Sequence, residues 1–499
     1  MERDVMIGLL AFRHLMHRPL RSAFLLLGYG LGVGVMIVLL AIGEALVVQA
    51  GEEKLIGGGD VTVLPEGIDL EVMKTGGVGG LFFSIDHARF IYRQVLGAPR
   101  FERLVAAAAP QIEGKLLYLR AGGREYPARA SGEIPSRSAA VAAAPELVGG
   151  TWADDDGDRR WIAPTPEELY AEIDRFHLPP SDVRDKRSWG EWHYFNVLSS
   201  DARRWWFISF IVGGDVTGDD WGGLVAITRR EQGGATTRFT KTHDASRVRF
   251  SLTSPDLTMG DSRVELLDGG RYRVVGAATS SDGARATIDL VVTPVPGAFF
   301  PGATLASGDF TSGYTVPGLR ASASGRLCVR ADCEQVSGVQ AYHDHNWGVW
   351  RGVTWEWGAA RAGSLTFLYG RVHPPDTLAT RPPLFLYVVD SLGFVGLYRP
   401  ARIDYEDART IIVNGRRVRV PARATMADAR GADTVIVELT IDDAIGSDAG
   451  LSMDERGDPQ AARLSTPFFI QMKGRARVHG VIGGRRVDGM GIGFFETYR

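Results

Sequence analysis

Residues 342–348 read Tyr-His-Asp-His-Asn-Trp-Gly at the end of a long strand-like stretch. Imidazole rings and a carboxylate lose hydration when such a strand is buried, so they are stable there only if they are paired or used. Successive side chains of a strand point to opposite faces. One face of this segment therefore carries His343, His345 and Trp347, and the other carries Tyr342, Asp344 and Asn346.

The residue types in this segment suit acid–base chemistry beside an apolar ligand. Asp344 and His345 can exchange protons, and Asn346 can orient a polar group. Trp347 and Trp350, with the aromatic residues that follow them, can wall a pocket for a large apolar molecule. The alternative is a hydrogen-bonded network whose role is to fix two strands.

Two series of strand-like segments surround this stretch. Short runs that alternate apolar and polar residues begin near residue 189, with Gly, Asp and Ser turns between them, and a second series begins near residue 355. This spacing is typical of antiparallel sandwiches and barrels. Both series start with paired aromatic residues, a polar turn and an aromatic strand, which indicates an internal duplication. We expect one barrel over residues 165–352 and a second over residues 353–499.

Four segments together resemble a known superfamily. They are YHDHNWG at 342–348, EWHYFNV at 191–197, GYTVPGLRASASGRL at 313–327 and GIGFFETY at 491–498. Over about residues 189–499 the chain resembles the carotenoid hydratase (hydroxyneurosporene synthase) and AttH-like superfamily. The resemblance implies a mostly β fold with two tandem lipocalin-like antiparallel β-barrels and a site near their junction. It also implies a hydrophobic substrate, such as an isoprenoid or another polyene.

The same resemblance implies roles for particular residues. In the hydratases the His and Trp of the His-Asn-Trp motif are proposed to line the site, and they correspond to His345 and Trp347. The proposed Tyr-x-Asp, whose Asp would protonate the alkene, falls at residues 369–371, where arginine stands in place of the acid. Asp344 and Glu356 are then the substitute acids. Either one needs a raised pKa to keep its proton at neutral pH.

Further polar residues on the predicted strands complete the set of candidates. Glu191 and His193 lie in the first barrel, and Glu496 lies in the last strand. For each of them the alternative is a hydrogen-bonded network in the barrel wall. The expected ligand-binding residues are Tyr342, His343, Asn346, Trp347, Trp350, Glu191, His193, Tyr369 and Glu496.

Two other classes of enzyme are less well supported. A metal enzyme would use His343, His345 and a third ligand such as His193 or His373, because alternate strand residues share a face. The sequence shows no acidic cluster or second histidine pair beside them, so we expect no metal and no other cofactor. A serine hydrolase is not favoured either, because no G-x-S-x-G occurs.

The predicted activity is acid-assisted hydration, isomerisation or cyclisation of a C=C bond in a hydrophobic small molecule, which would make the chain a lyase or an isomerase. The alternative is a lipocalin-like carrier, or an accessory protein of an ABC transporter, that holds a lipid without chemistry. Barrels of this kind can bind apolar ligands and do nothing else.

The N-terminal part carries a candidate membrane span. Residues 23–43 hold no charged side chain, and about 20 such residues are enough to cross a bilayer as a helix. Four arginines precede the span, so residues 1–22 are expected in the cytoplasm and the chain after the helix outside it. The match to a signal-peptide cleavage site is poor, which favours a retained single-pass anchor over residues 23–48 in the inner membrane.

The first 150 residues resemble permeases of the FtsX and macrolide-exporter type. The pattern RHLMHRPLRSAFLLLGYGLGVGVMIVLLAIGEAL followed by GGGDVTVLPEG carries this resemblance. It implies a small α+β extracytoplasmic segment over residues 49–160, fused to the barrels. The three further membrane helices of such a permease are missing, so transport by this chain alone is not expected, and an ABC transporter is a candidate partner.

Composition excludes one further class and adds a covalent link. The net charge of −3 shows no basic excess, so nucleic acid is not expected as a partner. Cys328 and Cys333, the two cysteines, are separated by four residues that can form a hairpin turn. Such a turn brings the sulfur atoms close, and an extracytoplasmic location allows a disulfide. A metal site is the weaker interpretation of this spacing.

Overall fold

The computed structural model describes most of the C-terminal part of the chain and selected N-terminal segments. The described residues are 17–52, 61, 63, 85–97, 104–122, 124–134, 137–138, 141, 173–307, 310–350, 352–374, 383–406, 409–413, 415–430, 433–448, 468–482 and 485–499. The chain divides into two compact units, one formed by residues 1–82 and 107–153 and the other by residues 83–106 and 154–499.

The first unit contains one long helix and a hairpin. Helix α1 runs over Pro19–Glu52 and contains the uncharged span expected from the sequence. It is long and apolar enough to cross a membrane, as either an anchor or a signal sequence would be. Strands β1 (Gln111–Ala121) and β2 (Arg124–Glu133) pair antiparallel. Most of the predicted segment over residues 49–160 lies outside the described residues.

The second unit begins with helix α2 (Ile85–Gly97) and continues as strands. Twelve strands of one antiparallel sheet follow. They are β3 (Trp189–Leu198), β4 (Arg204–Gly214), β5 (Trp221–Glu231), β6 (Thr236–Asp244), β7 (Val248–Phe250), β8 (Leu257–Met259), β9 (Ser262–Leu267), β10 (Arg271–Thr279), β11 (Arg285–Pro294), β12 (Phe300–Ser307), β13 (Phe310–Val329) and β14 (Asp332–Val349).

This sheet closes on itself. Its order runs β11, β13, β14, β3, β4, β5, β6 and β10, and β10 also pairs with β11 over eight residue pairs. The ring of eight strands is barrel 1. Its alternation is clearest in β11, where Ala286, Ile288, Leu290 and Val292 are buried between more exposed neighbours. Such alternation places one apolar face inside the barrel.

A second antiparallel sheet is curled in the manner of a half-barrel, and we call it barrel 2. In the described residues it has nine strands in the order β18, β17, β16, β15, β25, β24, β23, β22 and β19, and β20 and β21 form a separate hairpin. The strands are β15 (Thr354–Ala362), β16 (Leu365–His373), β17 (Phe385–Asp390), β18 (Gly393–Tyr398), β19 (Asp404–Glu406), β20 (Arg409–Val413), β21 (Arg416–Val420), β22 (Arg423–Arg430), β23 (Asp433–Asp448), β24 (Phe468–Ile482) and β25 (Arg485–Tyr498). The expected mostly β, lipocalin-like fold is confirmed.

Three large apolar clusters and two small ones organise the described part of this unit. One fills barrel 1 around Phe195 and Tyr272, and another fills barrel 2 around Phe367 and Phe495. The third cluster joins side chains of both barrels, and we call it the junction. Its members include Tyr194, Trp205, Phe207, Tyr314, Tyr342, Trp357, Leu368, Phe385, Tyr387 and Phe494.

Strand β14 takes part in two of these clusters, because barrel 1 covers one of its faces and the junction covers the other. In its first half only Val336 and Val339 are buried, whereas residues 341–345 are all buried. A polar motif in this position must find all its partners inside the protein.

The hairpin of β13 and β14 carries the two cysteines. Cys328 and Cys333 face each other in the register and form a disulfide across the turn, with their Cα atoms 4.0 Å apart. Arg330, inside the turn, has a φ of 57°.

Candidate functional site

The sequence motif sits on β14 where it pairs with β3, and the register explains its two faces. His345 lies opposite His193, and Asp344 lies opposite Tyr194. Glu191 lies opposite Trp347. Directly opposed residues of an antiparallel pair share a face. The expected division of residues 342–347 into two faces is therefore present in the structure.

On the junction face, Asp344 is held by two donors. The Tyr342 hydroxyl donates to Asp344 Oδ2 at 2.8 Å, and Asn346 Nδ2 donates to Asp344 Oδ1 at 2.7 Å. Trp357 Nε1 donates to the Tyr342 hydroxyl oxygen at 2.8 Å. Only 4% of Asp344 is exposed. The chain thus fixes this carboxyl group from both barrels.

Barrel 2 brings a second carboxyl group to the same face. Glu496 in β25 lies opposite Trp357 and Gln471 in the register, which places it on the junction side of its strand. Trp355 Nε1 donates to Glu496 Oε2 at 3.0 Å. Gln471 Nε2 donates to the Tyr194 hydroxyl oxygen at 2.7 Å and lies 3.5 Å from Glu496 Oε1.

The two junction carboxyl groups influence each other. Burial raises the pKa of Asp344 well above its usual value, and the charge of Glu496 raises it further, against the hydrogen bonds from Tyr342 and Asn346. Burial also raises the pKa of Glu496. No ion pair between described residues includes either group. In a dry space of this kind, two neighbouring carboxyl groups cannot both ionise easily, so the pair retains a proton at higher pH than an isolated group does.

The other face of β14 points into barrel 1 and carries a different network. His345 Nδ1 lies 2.8 Å from Asp174 Oδ1, and His345 Nε2 lies 3.0 Å from Glu191 Oε1. The backbone N–H of His177 donates to both oxygens of Glu191 at 3.0 Å, and His177 Nδ1 lies 3.0 Å from Glu191 Oε1. This network joins β14 and β3 to the segment before β3.

Burial and hydrogen-bonded partners shift the pKa of each group in this network in opposite directions. Burial lowers the pKa of His345, but its contacts with Asp174 and Glu191 outweigh that effect and raise the pKa to about 9. Burial raises the pKa of Asp174, and its contacts with His343 and His345 outweigh burial and hold the pKa well below the usual range. For Glu191, contacts with His177 and His345 likewise overcome burial and lower the pKa.

The remaining two histidines of this face bond to backbone. His193 Nε2 lies 2.9 Å from the Pro255 carbonyl oxygen, and His343 Nδ1 lies 3.1 Å from the Tyr194 carbonyl oxygen. Burial lowers the pKa of His193 well below its usual value. Both rings have an exposed fraction of zero.

Glu356 has a different environment from the one that a proton donor needs. It faces the interior of barrel 2, where Arg371 Nε donates to its Oε2 at 3.1 Å, and the Tyr405 hydroxyl donates to its Oε1 at 3.1 Å. Burial opposes ionisation, but contacts with His373 and Arg371 lower the pKa of Glu356 to about 2. It therefore lacks the raised pKa expected of a substitute acid. Tyr369, on the same face, is fully buried in the core of barrel 2.

The tryptophans of the motif do not form one wall. Trp347 lies on the barrel 1 side and stacks on the His177 ring with centroids 3.8 Å apart. Gly313 lies against it, since a Cβ there would lie 2.3 Å from the indole. Trp350 instead packs toward the junction, 4.7 Å from Trp192 and 5.7 Å from Trp355.

Several residues of both networks were missed by sequence reasoning. Asp174 and His177 lie outside the strands, and their only signal was a polar pair set among Ile173 and Phe176 before two prolines. Gln471 carried no signal, because an isolated glutamine on a predicted strand is ordinary. His373, considered as a metal ligand, lies 3.4 Å from Glu356 in barrel 2, away from the other histidines.

A surface depression of about 390 Å³ lies elsewhere on this unit. It is lined by Asp201, Ala202, Gln232, Asp442, Lys473, Arg475, Met490, Gly491 and Ile492. Lys473 donates to the Ala202 carbonyl and to Gln232 Oε1 in its floor. None of the junction carboxyl groups lines it.

Several solved structures are similar to this chain at low sequence identity. No protein-family model and no curated protein matches the chain. A putative AttH protein from Nitrosomonas europaea is 16% identical, with a TM-score of 0.42 over 62% of this chain and 93% of that one. Kievitone hydratase from Nectria haematococca is 12% identical, with a TM-score of 0.41 over 62% of this chain and 88% of the hydratase. CghA is 14% identical, with a TM-score of 0.38 over 67% of this chain and 95% of CghA.

The structural neighbours are thus AttH-like and hydratase-like folds at low sequence identity. With TM-scores below 0.5, these similarities carry no conclusion about this chain, and conclusions about function depend on the residues of the site.

Proposed function

We propose that the junction binds a hydrophobic small molecule, such as an isoprenoid, a polyene or a lipid, and that its carboxyl groups assist hydration, isomerisation or cyclisation of a C=C bond. The observation that carries this proposal is the pair of carboxyl groups, buried Asp344 and half-buried Glu496, set among aromatic side chains of both barrels without an ion pair in the described residues.

The surroundings of the pair suit an apolar ligand. Trp355, Trp357, Phe385 and Tyr387 come from barrel 2, and Tyr194 comes from barrel 1. Aromatic walls of this size bind mainly through buried apolar area, and their ring faces can stabilise a nearby positive charge. A carbocation formed by alkene protonation would meet such faces here.

The chemistry needs one proton donor and one acceptor. A carboxyl group that keeps its proton transfers it to an alkene carbon, the π electrons form the new C–H bond, and the positive charge stays on the other carbon. Water then adds, or a neighbouring proton leaves, or a second double bond attacks, which give hydration, isomerisation or cyclisation respectively. Cyclisation leaves the positive charge on a carbon of the second double bond, which then loses a neighbouring proton or takes up water. In all three cases the carboxylate left behind can take up the released proton.

In this conformation, the aromatic rings of the junction leave Asp344 little access to solvent. Asp344 is almost fully buried, and the aromatic side chains of the junction pack on one another, with Trp357 and Phe385 at 5.8 Å. Ligand entry therefore requires that some of these rings move apart. Closure of this kind excludes water, which strengthens electrostatic effects inside the site.

Deuterium transfer tests the proposal without a known substrate. Purified protein is incubated in D2O with the lipid extract of its own membranes, and carbon-bound deuterium is measured by mass spectrometry. We expect wild-type protein to label one lipid class. Asp344→Asn and Glu496→Gln should each lower the rate by about 100-fold or more, since general acid–base groups contribute that much.

Matched controls separate chemistry from folding. Asp289→Asn, on the half-exposed outer side of β11, should label at the wild-type rate. Loss of a buried partner costs about 1–3 kcal/mol of stability, so melting temperatures must be measured for each variant. Folded Asp344→Asn and Glu496→Gln proteins that both label at the wild-type rate would contradict the catalytic role.

A carrier without chemistry is the second candidate. The observation in its favour is that both oxygens of Asp344 already accept hydrogen bonds within the protein. A carrier would retain a lipid in every variant and would transfer no deuterium to it, wild type included.

We further propose that helix α1 anchors the chain in the inner membrane, with the barrels outside the cytoplasm. The uncharged span, the arginines that precede it and the disulfide between Cys328 and Cys333 support this orientation. An ABC transporter is the partner suggested by the permease-like pattern of the first 150 residues.

A further inference from the structure

The barrel 1 face of β14 holds a cluster that the junction chemistry does not use. Asp174, His193 and His343 each offer one ligand atom, and these three atoms all lie within 4.8 Å of one another. All three side chains have an exposed fraction of zero. They come from three parts of the chain: the segment before the barrel, β3 and β14.

Hydrogen bonds determine which ring nitrogens are free. A backbone carbonyl can only accept, so His193 Nε2–H donates to Pro255 and His343 Nδ1–H donates to Tyr194. The other two nitrogens, Nδ1 of His193 and Nε2 of His343, are buried and have no hydrogen-bond partner among the described residues. Buried polar atoms without partners are rare in native proteins and indicate an unseen ion, water or proton.

The distance between the His343 ring and the Asp174 carboxylate favours an ion bound between them over a direct hydrogen bond. His343 Nε2 lies 3.5 Å from Asp174 Oδ2. An unprotonated Nε2 would repel the carboxylate oxygen at that separation, so the contact is attractive only when a proton or a metal cation lies between the two atoms. Tetrahedral bonds of about 2.0–2.2 Å put ligand atoms roughly 3.3–3.5 Å apart, which this pair of atoms already fulfils.

Neighbouring groups hold the candidate ligands in place. The Tyr272 hydroxyl donates to Asp174 Oδ2 at 2.7 Å, and His345 Nδ1 lies 2.8 Å from Asp174 Oδ1. Together with the two carbonyl contacts of the imidazole rings, each of the three ligands has an outer partner. Metal ligands in proteins are commonly oriented by such second contacts.

We propose that Asp174, His193 and His343 bind one divalent transition-metal ion inside barrel 1, with Zn²⁺ as the preferred ion. Two imidazoles and one carboxylate are a ligand set that Zn²⁺ accepts, and a fourth position is left for water or another group. The ion ties the segment at Asp174 to β3 and β14 and so stabilises barrel 1. This proposal is independent of the proposed function, since the cluster lies on the opposite face of β14.

Metal content of the full chain is the direct test. Protein is expressed with added Zn²⁺, purified in detergent, washed with chelator and analysed by mass spectrometry of its metals. We expect about one Zn²⁺ per chain. Asp174→Asn, His193→Asn and His343→Asn should each lose it, and Co²⁺-substituted wild type should show the visible absorption of a tetrahedral site.

Two further variants distinguish loss of the metal site from misfolding of the protein. Tyr272→Phe removes the hydroxyl that donates to Asp174 and should weaken Zn²⁺ binding about 10- to 100-fold. His243→Asn is a matched control, because His243 in β6 is buried outside the cluster and should keep the wild-type metal content. A proton in place of the ion would leave wild-type protein without stoichiometric metal and with the same melting temperature with or without Zn²⁺, and that result would overturn the proposal. Equal Zn²⁺ content in wild type and all three ligand variants would overturn it as well.

Discussion

At the scale of single residues, the part of the fold that an acidic side chain faces decides whether the side chain keeps its proton. Asp344 is buried and Glu356 is half-buried, but Asp344 meets hydroxyl and amide donors at the junction, whereas Glu356 meets Arg371 inside barrel 2. The first environment favours a protonated acid and the second an ionised one. Sequence alone gives no access to this difference, because it depends on which strands the fold brings together.

The pairing of Glu356 predicts a dependence of stability on pH. Its pKa of about 2 in the folded state lies below the ordinary glutamate value of 4.5, so its ionic contacts stabilise the fold above pH 4.5, and this contribution is lost as pH falls toward 2. We expect Glu356→Gln to lower the free energy of unfolding by about 1–3 kcal/mol at pH 7.

Denaturant unfolding at pH 7, 5 and 3 measures this effect. The difference between wild type and Glu356→Gln should be present at pH 7 and 5 and should shrink at pH 3. Asp289→Asn, whose ion pair is half exposed, serves as the control and should change stability little at any of these values. A difference that grows toward pH 3 would show that Glu356 is not the ionised partner described above.

At the scale of elements, periodicity predicted the strands well. The predicted runs at residues 190–198 and 286–294 lie in β3 and β11, and the alternation of β11 fits a wall with one buried face. The two runs predicted as separate strands on either side of residue 474 form the single strand β24. Alternation also predicted the two faces of residues 342–347. It could not predict what covers each face, since those partners lie up to 171 residues away, as in the contact of His345 with Asp174.

Helix α1 and the residues before it predict how the chain is oriented in the membrane. The arginines before it should keep the N-terminus in the cytoplasm and place the barrels outside. A reporter fused after Arg499 should therefore be active only outside the cytoplasm. In the same cells, alkylation of the unfolded, unreduced protein should find Cys328 and Cys333 blocked as a disulfide. A reporter active only in the cytoplasm, with both thiols free to react, would contradict this orientation.

At the scale of the whole second unit, the two barrels use their outer faces to form the junction. The resemblance to carotenoid hydratases led to the expectation of a site near the barrel junction, and β14 does present a polar network there. The same strand also presents the histidine cluster to the inside of barrel 1, which the sequence analysis assigned to one ligand-binding set. The two networks could be separated only once the register of β14 against β3 was known.

The central claim is that the junction holds a hydrophobic small molecule, and mass spectrometry of co-purified lipids tests it most directly. Organic extracts of wild type, of Trp357→Ala at the junction and of Trp221→Ala beside the core of barrel 1 are compared, with the fold of each checked by its melting temperature. We predict one apolar species enriched in wild type and in Trp221→Ala and depleted in a folded Trp357→Ala protein. Equal amounts of every lipid in all three extracts would contradict the claim.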